Sequence, residues 1–255
     1  MVLSMDKWKG KVAVVTGASS GIGEGIVKKL VEEGLVVVGL ARRLERMQKQ
    51  QQMLVHQPGK FHPVQCDIGK ETDILRCFDY IKENIGPVHI LVNNAGCCIS
   101  GTLSESDTNS WKTIMDVNVI GLCVATREAV KVMKSKNIEG HIINMNSLAG
   151  HFRVQVSGLN LYPASKHAVT SISDTLKNEF ATSKTKIKVT SISPGVVDTE
   201  IFAVSGLNEF HKAVEENSVP SLSPDDIADA VCYVLSTPPI VNVSEMIIQP
   251  VNETI

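Results

Sequence analysis

The sequence predicts an α/β fold: a doubly wound parallel β-sheet of about seven strands with helices on both faces. Three observations carry this. Short β-branched runs alternate with helix-period segments from one end of the chain to the other, the pattern of a parallel sheet covered on both sides. A glycine-rich turn separates the first such run from the first helical segment, which makes a βαβ unit. The chain has 255 residues, 43% hydrophobic and 20% charged, enough for one large domain with a sizeable core. No repeat, low-complexity tract or linker divides it, so residues 1–255 read as a single domain.

Lys11 to Thr16 is the first strand, and Gly17-Ala-Ser-Ser-Gly21-Ile-Gly23 follows at once. Glu24 to Glu33 then reads as a helix, with Ile26, Val27, Leu30 and Val31 on one face and Gly34 as its stop. Leu35 to Leu40 is the second strand, and Phe61 to Cys66 the third. Thr72 to Asn84 is helical, and Val88 to Val92 is the fourth strand, closing on Asn93-Asn94-Ala95-Gly96. One long helix is expected from Ser110 to about Lys136. Gly140 to Met145 is the fifth strand and ends near Asn146-Ser147. A helix opens at Leu161-Tyr162, its apolar positions Ala168, Val169, Ile172 and Leu176 at helical spacing. Lys186 to Ile192 is the sixth strand, broken by Ser193-Pro194-Gly195. Val196 to Pro220 mixes Phe202, Gly206 and Phe210 with polar residues at no clean period, and is expected to be a mobile lid. Ser223-Pro224-Asp225-Asp226 starts a helix that ends near Ser236, and Val243 to Gln249 supplies the seventh strand.

Charge and composition narrow the function. The formal net charge of −2 supplies no basic field for nucleic acid. No apolar run reaches the ~18 residues of a membrane span, so no integral membrane segment is expected. Met1 to Gly10 lacks the apolar stretch of a secretory signal, and a cytoplasmic location is expected. The cysteines, Cys66, Cys77, Cys97, Cys98, Cys123 and Cys232, form no C-x-x-C pair and suit no metal site; they read as reduced thiols.

Two constellations carry chemistry. In Tyr162-x-x-x-Lys166 the phenol and the ammonium lie four apart on one helix face. A nearby cation favours the phenolate and lowers a pKa that is otherwise ~10, so the pair is a candidate general acid/base. The second constellation is the glycine turn, whose backbone can approach a pyrophosphate at the helix N-terminus. Its spacing is G-x-x-x-G-x-G rather than G-x-G-x-x-G. At the end of the second strand an NAD site commonly places an acid. Here Ala41 stands, followed by Arg42 and Arg43. A missing carboxylate and two guanidiniums suit a 2′-phosphate, with Ser19 or Ser20 as a further donor, so NADP(H) is the expected cofactor.

Together these motifs resemble the short-chain dehydrogenase/reductase family, from Lys11 to about Gln249. They stand as Thr16-Gly-Ala-Ser-Ser-Gly-Ile-Gly23, Asn93-Asn-Ala-Gly96, Asn118, Ser147, Tyr162-x-x-x-Lys166 and Pro194-Gly195. The resemblance implies a single-domain Rossmann fold and a catalytic tetrad of Asn118, Ser147, Tyr162 and Lys166. Ser147 would bond the substrate oxygen. Asn118 would position Lys166 through a helix distortion and a water relay. The resemblance also implies cofactor contacts at Gly17, Ser19, Ser20, Gly21, Ile22, Gly23, Arg42 and Arg43. Asp67 and Ile68 would lie near the adenine, Asn93, Asn94, Ala95 and Gly96 in the cofactor cleft, and Pro194, Gly195, Val197 and Thr199 near the nicotinamide. Tyr162 and Lys166 would touch the cofactor too. Within the family, Leu235-Ser-Thr-Pro-Pro239 and Gly39-Leu-Ala-Arg-Arg43 are similar to insect NADP-dependent farnesol dehydrogenases and vertebrate family-member-eleven reductases of ketosteroids and dicarbonyls. One departure is the Ser147 to Tyr162 interval of 15 residues (162−147), slightly long for the family.

The implied function is hydride transfer between NADP(H) and a small apolar alcohol or ketone, an isoprenoid alcohol such as farnesol, a ketosteroid or a dicarbonyl. Ser147, His151, Phe152, Tyr162 and Phe202 are the expected substrate residues, with Cys98, Leu148, Val154, Val156 and Leu159 around them and Arg153 solvated. The alternatives are a non-catalytic NADP(H)-binding regulator, which would be expected to lack a tetrad member, and a sugar-nucleotide epimerase. The latter needs a second domain, for which the 93 residues after Tyr162 (255−162) are too few. A homodimer or homotetramer is expected from the resemblance.

Overall fold

The computed structural model describes residues 3–152 and 156–254. Its seven strands are β1 (Val12–Thr16), β2 (Val36–Ala41), β3 (Lys60–Gln65), β4 (Val88–Asn93), β5 (His141–Met145), β6 (Lys188–Pro194) and β7 (Glu245–Ile248). They form one sheet in the order β3-β2-β1-β4-β5-β6-β7, with every pairing parallel. The helices are α1 (Gly21–Glu32), α2 (Leu44–Met53), α3 (Glu71–Asn84), α4 (Thr108–Met115), α5 (Leu122–Ser135), α6 (Tyr162–Thr182), α7 (Ile201–Val204), α8 (Asn208–Glu215) and α9 (Pro224–Ser236). Among the described residues no helix is long and apolar enough to cross a membrane.

Alternation along the strands builds a core on each face of the sheet. Ala13 and Val15 of β1 join Ile26 and Leu30 of α1 and Ile227 and Val231 of α9 on one face. Val12 and Val14 join Ile74 and Ile81 of α3 and Ala129 and Met133 of α5 on the other. The Trp8 indole N–H donates to the Leu235 carbonyl at 2.8 Å and anchors the N-terminal segment on the end of α9. The expected start of α9 is a capping box: Ser223 Oγ accepts from Asp226 N, and the Asp226 carboxylate accepts from Ser223 N at 2.8 Å.

Three elements differ from the sequence reading. The helix α2 was not anticipated, because Leu44-Glu-Arg-Met-Gln-Lys-Gln-Gln-Gln-Met53 buries only Met47 and Gln50 and so shows no apolar stripe. The single helix expected from Ser110 to Lys136 is interrupted by a π-helical turn, Asp116–Gly121, between α4 and α5. Gly121 closes that turn against the Ile68 carbonyl, where a Cβ would come within 2.3 Å of the oxygen. The 196–220 segment, expected to lack regular structure, contains α7 and α8, with the Phe202 and Phe210 rings edge-on at 4.8 Å. Helices this short are lost to a periodicity test.

Candidate active site

The candidate site lies at the carboxyl ends of β1, β4 and β5. The strand order reverses between β1 and β4, where an open α/β sheet leaves a crevice. Thr16 ends β1, and its hydroxyl accepts the backbone N–H groups of Asn94 at 3.0 Å and Ala95 at 2.9 Å. Asn94 donates from Nδ2 to the Thr16 carbonyl at 2.9 Å. These bonds tie the two strand ends beneath the glycine turn. Gly17 and Gly21 adopt φ of +68° and +54°, which side-chain-bearing residues rarely adopt. A Cβ on Gly23 would stand 2.2 Å from the Gly17 carbonyl oxygen. Ser20 is the N-cap of α1 but makes no capping bond, so its side chain satisfies none of the first N–H groups of this helix. A turn with glycine at 17, 21 and 23 and a 12-residue helix with no side-chain cap fit the pyrophosphate of a dinucleotide, with Ile22 in the first helical turn.

The side of the crevice that could hold an adenosine is built from β2, the Asp67 loop and Glu200 far along the chain. Ala41 ends β2 without a carboxylate. Asp67 accepts from Gly69 N at 3.1 Å through Oδ1 and donates its own N–H to Asp73 Oδ2 at 3.0 Å. Ile68 is fixed by its approach to Gly121. Arg42 is exposed, and its carbonyl accepts from Gln65 Nε2 at 3.1 Å. Arg43 is the arginine brought to the glycine turn: Nε donates to Ser19 Oγ at 3.2 Å and Nη2 to Ser20 Oγ at 2.6 Å. The same guanidinium pairs with Glu200, whose other oxygen is 2.8 Å from Nη1 of Arg46. Partial burial pushes the Glu200 carboxyl up, but hydrogen bonds from Arg43, Arg46 and Ser20 outweigh it and hold it down at about 2.

Asn118 and Lys166 lie beside Gly96, Tyr162 lies beside Lys166, and Ser147 hydrogen-bonds with the Tyr162 phenol. A Cβ on Gly96 would lie 3.6 Å from Asn118 Oδ1 and 3.8 Å from Lys166 Nζ. Asn118, 2% exposed in the π-turn, holds Cys97 from both sides: Oδ1 accepts from Cys97 N at 2.8 Å and Nδ2 donates to Cys97 O at 2.9 Å. Its Nδ2 also donates to Ser165 Oγ at 2.9 Å, and Ser165 donates to the Tyr162 carbonyl at 2.7 Å. Asn118 thus reaches α6 through Ser165 rather than through Lys166 itself. The Lys166 ammonium donates to the Met145 carbonyl at 2.9 Å and lies 5.6 Å from the centre of the Tyr162 ring. Burial draws its pKa down to about 8.

The Tyr162 phenol behaves differently from the sequence expectation. Burial pushes its pKa well above the ordinary value, a hydrogen bond with Ser147 pulls it back in part, and Cys98 and Cys97 raise it further. Loss of water from around the phenol is the largest of these effects and sets the direction. Cys97 and Cys98 are free, and burial lifts both thiols to about 11, so they are not thiolates near neutral pH.

Other expected residues take different places. Asn93 turns into the core rather than the cleft, donating to Thr126 Oγ1 at 2.8 Å and Asn144 Oδ1 at 2.9 Å. Successive strand residues face opposite sides, so Asn94 alone turns to the glycine turn. His151 was expected against substrate, but its Nε2 is 2.8 Å from Ser193 Oγ and 3.3 Å from Glu245 Oε1. Phe152 is exposed beside the His151 ring, and Phe202 packs on Phe210. Gly195, after Pro194, is covered by the C-terminal tail: a Cβ there would meet the Glu253 carboxylate, which accepts from Val196 N at 2.9 Å. Val197 bridges to Leu222, and the Thr199 methyl touches the turn, 2.9 Å from where a Gly21 Cβ would be. Arg153 and Val154 lie outside the described residues.

Thr16, Arg46, Glu200 and Glu253 are site residues that the sequence reading missed. Thr16 had a legible signal, a hydroxyl at the junction of strand and glycine turn. Glu200 and Glu253 had none, because each acts on residues far away along the chain. Among the described residues no group of three or more His, Cys, Asp or Glu side chains could hold a metal ion.

The short chain dehydrogenase family model matches residues 11–209. A farnesol dehydrogenase from Aedes aegypti is 45% identical over 251 residues, 98% of this chain and 99% of that protein. Dehydrogenase/reductase SDR family member 11 from Mus musculus is 39% identical over 253 residues, 98% of this chain and 97% of that protein. Among solved structures, the closed form of a serine dehydrogenase complexed with NADP+ superposes with a TM-score of 0.86 at 31% identity, covering 96% of each chain.

Proposed function

The chain belongs to the short chain dehydrogenase family of oxidoreductases, and from that premise we propose that it transfers a hydride between NADP(H) and an apolar alcohol or carbonyl compound, with Tyr162 as general acid/base. The observation that carries the reading is the chain of neighbours at the strand ends: Lys166 Nζ lies beside Gly96 and 5.6 Å from the centre of the Tyr162 ring, and the Tyr162 phenol hydrogen-bonds with Ser147, next to a turn shaped for a pyrophosphate.

Gly17 to Gly23 and the α1 N-terminus would hold the pyrophosphate, Arg43 with Ser19 and Ser20 the 2′-phosphate, and Lys166 the nicotinamide ribose. Bound there, the nicotinamide supplies or accepts the hydride. The proton is handled by this chain. The Tyr162 phenol holds its proton at neutral pH, the state needed to protonate a carbonyl oxygen. In the oxidative direction that proton must first leave, and the Lys166 ammonium, 5.6 Å from the ring centre, favours its departure. The Ser147 hydroxyl bonds the substrate oxygen and stabilises charge developing on it. Asn118 holds the Cys97 backbone and, through Ser165, the first turn of α6, and so fixes the distance between cleft and phenol.

The surroundings support an apolar substrate. Cys98, Leu148 and Leu207 are buried, and Phe202 and Phe210 meet edge-on in the 196–220 segment, the proposed lid. Ser100 N donates to the Ser205 carbonyl at 2.8 Å and joins that lid to the strand β4 loop. Closure would exclude water from the hydride path. The test is initial rates across isoprenoid alcohols, ketosteroids and diketones, each with NADP(H) and NAD(H). Turnover of at least one apolar class with NADP(H) preferred is expected. Turnover of none of these classes, or a preference for NAD(H), would overturn the reading.

A further inference from the structure

Glu200 brings a carboxylate to the place where β2 has none. It leads into α7, 157 residues along the chain from Arg43 (200−43), and it grips both Arg43 and Arg46 across the mouth of the adenosine end. The guanidinium it occupies is the one that also bonds Ser19 and Ser20 of the glycine turn. A 2′-phosphate seated on those three groups would share Arg43 with Glu200, and two anions on one guanidinium repel. Thr199, the preceding residue, packs its methyl on Gly21 of the turn. The carboxylate therefore ties the start of the 196–220 segment directly to the cofactor cradle.

We propose that Glu200 is a tethered competitor for the 2′-phosphate: its carboxylate occupies Arg43 in the nucleotide-free protein and is displaced from it by a 2′-phosphorylated adenosine, so that the adenosine end of the cofactor frees α7 and α8 to move. This rests on the reading of Arg43 as the 2′-phosphate ligand. Release leaves Glu200 on Arg46 alone. The 2′-phosphate thereby sets two things at once, the affinity of the nucleotide and the freedom of the segment over the substrate side. A nucleotide with a 2′-hydroxyl leaves the Glu200–Arg43 pair in place and the segment tied.

The test uses 2′,5′-ADP and 5′-ADP, which lack the nicotinamide, and reads binding by calorimetry rather than turnover. Wild type, Glu200→Gln and Arg43→Ala are compared at one ionic strength. Glu200→Gln should bind 2′,5′-ADP about threefold to fivefold more tightly than wild type, the upper part of the range for a partly exposed ion pair. Its affinity for 5′-ADP should stay within twofold. Hydrogen exchange in residues 200–215 should rise when wild type binds 2′,5′-ADP and stay level with 5′-ADP. In Glu200→Gln it should be high without nucleotide. A wild type that prefers 2′,5′-ADP through Arg43, paired with a Glu200→Gln variant that binds it no more tightly, would overturn the competitor alone. A wild type with no preference, unchanged by Arg43→Ala, would overturn the 2′-phosphate reading and the competitor with it.

Discussion

Replacing Lys166 by Met should change how stability depends on pH by an amount the structure sets. Lys166 is 5% exposed, donates to the Met145 carbonyl at 2.9 Å, and has a pKa drawn from 10.5 to about 8 by burial. Between those values the unfolded chain holds a proton that the folded chain has released. Stability therefore rises with pH across that window, and below pH 8 folding carries the whole cost of a buried cation. At ~1.36 kcal/mol per unit the full shift is worth about 3 kcal/mol, of which about 2.5 kcal/mol falls between pH 7 and pH 10. Met keeps the length of the side chain and cannot titrate. Its loss of the bond to Met145 leaves a carbonyl unpaired at roughly 1–3 kcal/mol, but that cost is the same at every pH and cancels. Urea unfolding of ligand-free wild type and Lys166→Met, at fixed protein concentration, reads the difference. The wild type should gain about 2.5 kcal/mol on the variant from pH 7 to pH 10, on the order of 5–10 °C in Tm for a chain of this size. Parallel curves for the two proteins would show that Lys166 is not a cation held in the core at a cost, and would undo the account of how it acts on Tyr162.

Three further outcomes are expected. Ala41→Asp with Arg43→Ala supplies a ribose acceptor and removes the cation at Ser19 and Ser20; since one charge-assisted bond is worth roughly 1.5–3 kcal/mol, the ratio of kcat/KM for NADP(H) to that for NAD(H) should fall at least tenfold. Steady-state kinetics with both cofactors check it, and an unmoved ratio would refute the placing of Arg43. Gly23→Ala puts a Cβ 2.2 Å from the Gly17 carbonyl oxygen, so 5′-ADP binding by calorimetry should weaken at least tenfold; unchanged binding would mean that the turn is not the pyrophosphate cradle. Sedimentation should find dimers or tetramers, with the α4–α5 region and α6 paired across two-fold axes, and a 27.6 kDa monomer at working concentration would contradict this.

The centre of the sheet was legible because strands such as Val12–Thr16 are β-branched runs buried on both faces, while the edge strands Lys60–Gln65 and Glu245–Ile248 are only partly buried and were placed by the alternation of strand and helix along the chain. The glycine turn and the Tyr162 to Lys166 spacing were legible because local geometry dictates them. What escaped the sequence depends on contacts between distant segments. Helix α2 is held without an apolar stripe, and the π-turn rests on Gly121 meeting Ile68. The residues Asn93 and Asn94 look alike in sequence, yet only the pleat decides that one braces the core and the other the turn. His151 could be placed near the site, but its bonds to Ser193 and Glu245 required the β6–β7 pairing to be known. The rise in the Tyr162 pKa likewise depends on how much water the folded cleft removes.

Tyr162→Phe isolates the group that moves the proton. The variant keeps the ring and removes only the proton-carrying oxygen. With NADP(H) and the best apolar substrate found in the panel, kcat should fall by ~10² or more, the loss of a general acid/base, while calorimetric affinity for NADP(H) stays within about threefold of wild type. A variant that keeps more than about a tenth of the wild-type kcat would contradict the assignment of Tyr162 as the group that moves the proton.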